Sequence, residues 1–355
     1  MVTALSHRIA VVGPPWVPVP PPAYGGTETV LSGLLRGLRR AGHEVAYAGH
    51  PDSTVDAEPL GAIDPSHLGP IGHTLSEVAH VLQATEAAEA WGADIVHYHT
   101  MLVPGRDELR APMVITHHGP FDALSTPYFE RLGKRCAVVA ISSAQAAAAP
   151  SVSMAAVVHN GIDVDEWPVG AGDGDYLLFL GRMHPDKGPD RAIEIARKAG
   201  VPLVLAAKMR ETAEREFFEE TVQPMLHRGA TYIGEADTVT KRRLLTGARA
   251  LLNPIQWPEP FGMVMVEALA CGTPVIAMPT GAAPEIVEHG ANGFLCDTAD
   301  TMVDAIADID RIDRQHCRAS VRQRFSIERM VDGYLDVYGA LIDRGDRSLT
   351  VVAGD

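Results

Sequence analysis

The chain alternates short apolar strand patterns with helical patterns along most of its 355 residues, and this alternation limits the folds that it can adopt. The first apolar run, Arg8–Gly13, is followed by a loop and then by a helical pattern over residues 27–40. Strands that alternate with helices form parallel sheets with right-handed crossover connections. The sequence therefore predicts an α/β fold of parallel sheets, in which ligands bind at the carboxyl ends of the strands.

The predicted elements fall into two series, separated by the Pro/Gly/Asp-rich stretch WPVGAGDGD at residues 167–175. In the first series we predict strands at 8–13, 44–49, 94–98, 112–117, 136–141 and 155–159, and helices at 27–40, 74–91, 125–134 and 142–149. In the second we predict strands at 176–180, 202–207, 230–233, 249–253 and 274–278, and helices at 188–199, 211–227, 238–247 and 260–271. Two doubly wound, Rossmann-like domains, residues 1–163 and 164–325, are expected to face each other across a cleft.

The charge of the chain argues against two classes of partner. Its net charge is −15, and residues 1–160 carry 9 basic and 14 acidic side chains. Neither nucleic acid nor an anionic membrane surface is a favoured partner of such a chain. No apolar run reaches the roughly 18 residues that span a bilayer. The start, MVTALSHRIAVVG, leads into a strand without a signal-peptide pattern, so we expect a cytoplasmic protein.

Cysteine and histidine give no clear metal site. The four cysteines are far apart and form no C-x-x-C pair, which favours reduced thiols over zinc or disulfides. His97 and His99 would share one face of a strand, but no third ligand is evident nearby. Packing in a core or cleft is therefore the favoured interpretation of this pair.

Two glutamates, Glu259 and Glu267, stand eight residues apart in EPFGMVMVEALACG. Pro260 is suited to the first helical position, so a helix beginning there would place Glu259 at its start and Glu267 about two turns in, roughly 12 Å away. The N–H groups that open such a helix suit an anion. Two solvated glutamates on an amphipathic helix are the alternative interpretation of the spacing alone.

Three further loops contain candidate ligand-binding residues, each at the end of a predicted strand. YGGTE at 24–28 offers glycines before a helix, GRMHPDKGP at 181–189 offers two cations, and THHG at 116–119 offers two histidines. Neither G-x-G-x-x-G nor a P-loop occurs, which argues against NAD and ATP. A basic turn and a structural histidine are the alternative interpretations of the second and third loops.

Taken together, these stretches resemble family 4 of the retaining glycosyltransferases, which have the GT-B fold. The resemblance rests on EPFGMVMVEALACGTPVIA at 259–277, GAAPEIV at 281–287 with Gly290 and Asn292-Gly293 after it, GRMHPDKG, VVHNGID at 157–163, and YGGTE, all in the expected order. It covers nearly the whole chain, and the second half matches more specifically than the first.

The resemblance implies a role for each matching residue. Glu259, with the N–H groups of Phe261, Gly262, Met263 and Val264, would hold hydroxyls of the donor hexose, and Glu267 would hold the ribose hydroxyls. The diphosphate would be bound by Arg182, Lys187, Gly25 and Gly26, and Gly234 would lie beside the base. His118 would lie beside the sugar, with His117 as the alternative. His118, Glu259, Arg182 and Lys187 are thus the expected catalytic residues. A C-terminal helix at about 326–344 would return to the first domain.

The implied activity is transfer of a hexose from a nucleoside diphosphate sugar to a hydroxyl with retention at the anomeric carbon. UDP-glucose or another UDP-hexose is favoured as donor, with a GDP-mannose-dependent mannosyltransferase or a non-catalytic nucleotide-sugar-binding protein as alternatives. We expect a soluble acceptor, contacted by Trp16, Tyr24 and His117. No cofactor or metal is expected, because Arg182 and Lys187 can neutralise the leaving diphosphate, and Asp163-Val-Asp165 is weak evidence for a metal.

Overall fold

The computed structural model describes residues 6–23, 25–61, 63–104, 110–227 and 229–352, with side chains described up to residue 343. The described chain divides into two compact units. It passes from the first to the second between Gly161 and Ile162 and returns between Ser326 and Ile327, while Pro22 and Ala23 group with the second unit. The sequence pattern predicts these boundaries after residues 163 and 325.

The first unit is built on a seven-stranded parallel sheet. Its strands are β1 (Arg8–Val12), β2 (Glu44–Ala48), β3 (Glu58–Pro59), β4 (Ile95–Tyr98), β5 (Met113–Thr116), β6 (Ala137–Ala140) and β7 (Met154–Val157). Its connecting helices are α1 (Gly26–Arg40), α2 (Thr74–Trp91), α3 (Ser125–Leu132) and α4 (Ser143–Ala148). The strand order is β3-β2-β1-β4-β5-β6-β7, so the winding reverses between β1 and β4.

The second unit contains a six-stranded parallel sheet. Its strands are β8 (Leu177–Arg182), β9 (Leu203–Lys208), β10 (Ala230–Tyr232), β11 (Ala250–Asn253), β12 (Val275–Ala277) and β13 (Gly293–Leu295). Its helices are α5 (Pro189–Ala199), α6 (Thr212–Phe217), α7 (Thr238–Gly247), α8 (Met263–Ala270), α9 (Ala283–Ile286), α10 (Ala299–Asp308) and α11 (Arg314–Arg324). The order β10-β9-β8-β11-β12-β13 reverses between β8 and β11.

The central strands of both sheets are apolar because both of their faces are covered. In β1 and β8, for example, Ile9, Val11, Leu177 and Leu178 are fully buried. Strands covered by helices on both sides read as continuous apolar runs rather than as alternating ones. The periodicity therefore located these strands correctly.

One predicted helix is broken in the structure. The predicted helix at 211–227 ends as α6 at Phe217 and continues as a π-helical turn over Phe218–Val222 and a 3₁₀ turn over Gln223–Met225. Pro224 accounts for the change, because it has no N–H to continue the α-helical hydrogen bonding. The prediction of one continuous helix here was wrong.

The last helix, α12 (Ile327–Val352), belongs to the first unit and packs on α1. The packing is close: a Cβ atom at Gly37 would lie 2.5 Å from Cγ2 of Ile327 and 2.6 Å from Cγ2 of Val331. Glycine on α1 therefore lets the apolar side of α12 approach the backbone. Within the described ranges, no helix has both the length and the apolarity needed to cross a membrane.

Candidate functional site

The candidate site of the second unit lies where its strand order reverses. β8 and β11 are neighbours there, paired from Leu177 with Ala250. The loop after β8 carries Lys187, and the loop after β11 carries Glu259. In doubly wound sheets the two loops that leave such a point diverge and form a crevice for ligands.

Backbone contacts join these two loops. A 3₁₀ turn over Pro185–Lys187 ends at Gly188, which has φ 71°, and the N–H of Gln256 donates to the carbonyl of Asp186 at 2.7 Å. A Cβ at Gly188 would lie 2.6 Å from the carbonyl oxygen of Pro254. Glycine is thus required both by the left-handed conformation and by the close approach, and it fixes where Lys187 emerges.

Lys187 and Glu259 form a largely buried ion pair. The Lys187 ammonium donates to Oε2 of Glu259, and only 12% and 18% of the two side chains are exposed. The ammonium also lies 4.9 Å from the centre of the Trp257 ring. Burial lowers the pKa of Lys187, while the adjacent Glu259 carboxylate acts in the opposite direction. The pair is a largely buried, charged site at the end of the central strands.

The backbone at Glu259 rests on the turn after β12, not on the helix that follows it. The carbonyl of Glu259 accepts from the N–H of Ala282 at 3.0 Å. Gly281 has φ 59°, and a Cβ there would clash with the backbone of Glu259. Gly281 belongs to the motif quoted above, but its steric role became evident only with the structure.

The predicted helix start at Pro260 was wrong. α8 begins at Met263, and its N-cap Gly262 has φ 96°, which is not helical. The chain from Glu259 to Gly262 is therefore loop, and the eight-residue spacing to Glu267 cannot be converted into helical rise. Phe261 is buried against Phe325, with ring centres 5.9 Å apart.

The first turn of α8 starts with Met263 and Val264, which are partly buried. The first N–H groups of a helix have no partner within the helix, and the positive helix end favours an anion or a hydroxyl oxygen there. Three of the predicted donor contacts, at Gly262, Met263 and Val264, thus lie at the N-terminus of α8.

Glu267 is buried on α8 and keeps one oxygen unpaired. Its Oε1 accepts from Lys241 Nζ at 2.6 Å, and its Oε2 is buried without a hydrogen-bond partner in the described part of the chain. The Lys241 ammonium also lies 5.2 Å from the centre of the Trp167 ring. Lys241 was not singled out from the sequence, since a helical lysine 26 positions before a glutamate carries no local signal.

Arg182 is the last residue of β8 and is accompanied by a buried acid. Its Nη1 lies 3.9 Å from Oε1 of Glu214, too far for a hydrogen bond. The other carboxylate oxygen of Glu214 accepts from the N–H groups of Arg210 and Glu211 at 2.8 and 3.1 Å. The guanidinium of Arg182 therefore keeps its donors for another acceptor, with Glu214 as a nearby counter-charge.

Gly234 follows β10 and has φ 84°, with open space where a side chain would lie. Its carbonyl accepts from the N–H of Ala207 at 2.9 Å. The next residue, Glu235, accepts from Nε and Nη2 of Arg210 at 3.2 and 2.7 Å. This places Gly234 at the carboxyl end of the sheet, where the prediction puts the base.

The glycine loop of the first unit leads directly into α1. Gly25 is the N-cap and Gly26 the first residue of the helix. A Cβ at Gly25 would lie 2.8 Å from Cβ of Pro21 and 2.7 Å from Oε2 of Glu28, while one at Gly26 would meet nothing within 4 Å. Gly26 is thus exposed at the surface of the first unit, as a phosphate contact would require.

Of the predicted acceptor contacts, Trp16 is partly exposed, and its buried Nε1 has no partner among the described residues. Tyr24 lies outside the described residues. His117 is a core residue: its Nε2 bonds to the carbonyl of Pro120 at 3.1 Å, and its ring lies 4.5 Å from that of Phe129. His118 makes a different contact, with its Nε2 against His99. The expectation that His117 contacts the acceptor is not supported.

His118 belongs to a group of polar side chains at the ends of β4 and β5. Its Nε2 lies 2.8 Å from Nδ1 of His99. The ring of His97 is tilted by 42° against that of His99, with the ring centres 4.0 Å apart. His97 bonds through Nδ1 to the hydroxyl of Tyr338 at 2.6 Å and through Nε2 to Oγ1 of Thr116 at 2.8 Å. His97 thus makes the core contacts that were favoured over a metal.

Burial sets the charge state of this group. It lowers the pKa of His118 to about 3 and holds the pKa values of His97 and His99 well below the usual 6.5. Neighbouring imidazoles add to the effect. The three rings are therefore neutral at physiological pH.

The Asp163-Val-Asp165 stretch is engaged in structural contacts. Asp165 accepts from Nη2 of Arg322 at 2.5 Å and lies 3.3 Å from Nη2 of Arg318, and Asp163 caps the turn that follows it. Across the described ranges, no group of three or more His, Cys, Asp or Glu side chains is arranged to hold a metal ion.

Two family models match the chain in succession. The model described as Glycosyltransferase Family 4 matches residues 24–166, and the one described as Glycosyl transferases group 1 matches residues 165–324. Alpha-maltose-1-phosphate synthase of Mycobacterium tuberculosis is 29% identical over 330 residues, covering 78% of this chain and 81% of the relative.

Solved structures give the same result for the fold. AviGT4, a glycosyltransferase involved in avilamycin A biosynthesis, matches with a TM-score of 0.73 at 25% identity, over 95% of this chain and 98% of the other. Anabaena HepE, solved in complex with UDP and glucose, matches with a TM-score of 0.73 at 20% identity, over 94% and 100%. The predicted fold class, two parallel-sheet α/β units of the GT-B type, is confirmed.

Proposed function

We propose that this chain, which belongs to family 4 of the glycosyltransferases, transfers a hexose from a nucleoside diphosphate sugar to a hydroxyl group with retention at the anomeric carbon. The acceptor that we propose is a soluble small molecule or saccharide. Most of the proposed donor contacts come from the second unit, at the ends of β8 and β11 and the start of α8, and Gly25 and Gly26 of the first unit are proposed to contact the diphosphate.

The unpaired Oε2 of Glu267 carries this proposal. A buried carboxylate oxygen without a donor costs about 1–3 kcal/mol, so such atoms are rare in folded proteins. Lys241 satisfies Oε1 and leaves Oε2 as an acceptor. A ribose hydroxyl would supply the missing donor, and the nucleotide would then extend from α8 toward the ends of the strands.

The cations of the second unit suit the diphosphate. Lys187 is preoriented by the backbone contacts at Gly188, and Arg182 keeps its guanidinium donors for an acceptor. In the proposed complex, phosphate oxygens draw Lys187 away from Glu259. The freed carboxylate then accepts hydrogen bonds from hexose hydroxyls, and the N–H groups of Phe261 to Val264 donate hydrogen bonds to them.

The proposed reaction balances without a covalent enzyme intermediate. The bond from the anomeric carbon to the leaving phosphate oxygen breaks, and the acceptor oxygen bonds to the same face of that carbon. The acceptor proton passes to the departing phosphate. Because negative charge grows on the diphosphate as the bond breaks, Arg182 and Lys187 stabilise the transition state more than the ground state.

Glucose is the sugar that we propose, with UDP-glucose as the first donor to test. Alpha-maltose-1-phosphate synthase, a relative over 78% of this chain, is named for a product made of glucose units.

We also propose that no metal is required, because the two cations Arg182 and Lys187 already neutralise the diphosphate. We place the reaction in the cytoplasm, where the four unpaired thiols would stay reduced.

The proposal is tested first by binding and then by turnover. Thermal shift should identify the donor among UDP-glucose, other UDP-hexoses and GDP-mannose, because a ligand of the native state raises Tm. Incubation with that donor and a panel of acceptors should release nucleoside diphosphate, and NMR of the product should show the anomeric configuration of the donor.

Glu259→Ala and Arg182→Ala should each abolish transfer while leaving the fold intact, and a chelator should have no effect. The exposed pair of Lys198 and Asp300 offers a control, since Asp300→Ala breaks an ion pair remote from the site. Near-normal turnover by either site variant, or an inverted product, would contradict the proposal. Activity that is lost in chelator and restored by magnesium would contradict metal independence.

A further inference from the structure

His99 and His118 form a hydrogen bond in which only one of the two rings can donate. They follow β4 and β5, and His99 Nδ1 lies 2.8 Å from His118 Nε2 with the rings stacked at 5.1 Å. Burial and the neighbouring imidazoles favour the neutral form of both rings. Two neutral imidazoles carry two N–H protons, of which one lies in the bond between them. The other proton must lie on an outer nitrogen.

The two outer nitrogens have different surroundings. Nε2 of His99 is buried and has no hydrogen-bond partner within the described ranges. The adjacent ring of His97 cannot serve it, since both of its nitrogens are bonded to Tyr338 and Thr116. Nδ1 of His118, by contrast, belongs to a partly exposed residue and makes no hydrogen bond to another described residue.

Two arrangements of the protons follow. If His118 donates, the proton of His99 lies on its buried Nε2 as an N–H without an acceptor. If His99 donates, its Nε2 is a bare lone pair, and the proton of His118 lies on the accessible Nδ1. Buried N–H groups without an acceptor are rarer in proteins than buried acceptors without a donor, so the second arrangement is favoured.

We infer that His99 is a positioning residue, which donates from Nδ1 and so fixes His118 as the Nδ1–H tautomer. His118 then presents an N–H donor outward. If the proposed function holds, this donor binds an oxygen of the sugar or of the acceptor, and His118 does not accept the acceptor's proton at Nδ1. The deprotonation is left to the leaving phosphate, in keeping with the proposed reaction.

The tautomer can be read in the free protein, without any substrate. Long-range ¹H–¹⁵N NMR of ¹⁵N-histidine-labelled full-length protein distinguishes protonated from unprotonated ring nitrogens, and the spectrum of His118→Gln assigns the signals of His118. We expect a protonated Nδ1 and an unprotonated Nε2 at pH 7.5. A protonated Nε2 in the wild type would overturn the inference.

Variants at residue 99 test whether His99 sets this state. In His99→Asn the amide nitrogen lies close to the position of Nδ1 and can still donate to Nε2 of His118, so the Nδ1–H tautomer should persist. In His99→Phe the donor is lost, and the Nε2–H tautomer should become populated. An unchanged Nδ1–H tautomer in His99→Phe would show that His99 does not control it. His43→Gln, which alters another buried histidine of this unit, should leave the His118 signals unchanged.

Turnover provides a separate readout. The amide nitrogen of Asn superposes approximately on Nδ1 of histidine, and that of Gln on Nε2. We therefore expect His118→Asn to be roughly tenfold more active than His118→Gln, the effect of about one hydrogen bond. Equal activities would contradict the outward donor. If the protein transfers no sugar, the proposed function fails, while the tautomer is still decided by the NMR spectrum.

Discussion

At the ends of β4 and β5 the first unit gathers neutral side chains that hydrogen-bond to one another, whereas the second unit gathers ion pairs at the ends of β8 and β11. His97 and His99 are buried in the first unit and His118 is partly buried, and their desolvation keeps all three uncharged. In the second, Lys187 with Glu259 and Lys241 with Glu267 are paired charges.

The difference follows from what each element brings to the strand ends. In the first unit α12 brings the hydroxyls of Tyr334 and Tyr338, both fully buried, against Thr116 and His97. Hydroxyls and imidazoles can satisfy each other without net charge. In the second unit the loops after β8 and β11 and the helices α7 and α8 bring carboxylates and ammoniums, which must be paired when they are buried. Similar parallel sheets thus support one polar site of neutral donors and one of charges.

The largest expected effect is the loss of the Lys187–Glu259 charge pair. Glu259→Gln keeps the shape of the side chain but leaves the buried ammonium of Lys187 without a counter-ion. We expect kcat/KM to fall about 10²–10³-fold, as when a group that stabilises the transition state is removed. Steady-state rates with the identified donor measure this.

The control for this prediction is Glu288→Gln, which removes the carboxylate partner of Arg324 where both side chains are more exposed. Circular dichroism and Tm should show that both variants fold. A Glu259→Gln enzyme that works as well as Glu288→Gln would refute the idea that the second unit supplies the charges of the reaction.

The second expected effect concerns pH and the first unit. The pKa of His118 is about 3 in the folded chain and near 6.5 when unfolded, and those of His97 and His99 are also lowered. Below pH 6.5 the unfolded chain therefore binds protons that the folded chain does not, so stability falls as the pH falls. Each such histidine should add about 1.4 kcal/mol per pH unit to the slope of the free energy of unfolding against pH.

Urea unfolding at pH 7.5, 6.5 and 5.5 measures this slope. His99→Gln should reduce the slope of the free energy of unfolding by the contribution of one histidine, about 1.4 kcal/mol per pH unit. The exposed His316→Gln should leave the slope unchanged. Hydrogen exchange at pH 5.5 should show protection lost in β4 and β5 before β8 and β11. A free energy of unfolding that does not change over this range would contradict the neutral character of the first site.

The sequence predicted most of the described strands because buried parallel strands are apolar runs bounded by turns. It missed β3 and β13, which are only two and three residues long. It predicted Lys187, Glu259 and Glu267 as candidates because they lie in motifs at strand and helix ends. It could not predict Lys241, Glu214 or the contact of Gly281 with Glu259, since these depend on residues brought together over long sequence separations. The wrong helix start at Pro260 has the same origin, because a tertiary contact decided a local conformation.

The smallest of the three effects tests the unpaired oxygen of Glu267. Glu267→Gln keeps the length of the side chain but replaces one oxygen with a donor and removes the anionic partner of Lys241. If Oε2 accepts from one ribose hydroxyl, the variant should bind UDP roughly tenfold more weakly, the effect of about one charge-assisted hydrogen bond.

Calorimetric titration of wild type and variant with UDP, 2′-deoxy-UDP and 3′-deoxy-UDP measures this loss of affinity. For the deoxynucleotide that lacks the bound hydroxyl, the losses of affinity from Glu267→Gln and from the missing hydroxyl should be non-additive, because each removes the same contact. For the other deoxynucleotide the two losses should be additive. Additive losses for both would place the ribose away from α8. The second unit would then supply charge to the diphosphate alone, and the buried Oε2 would need another partner.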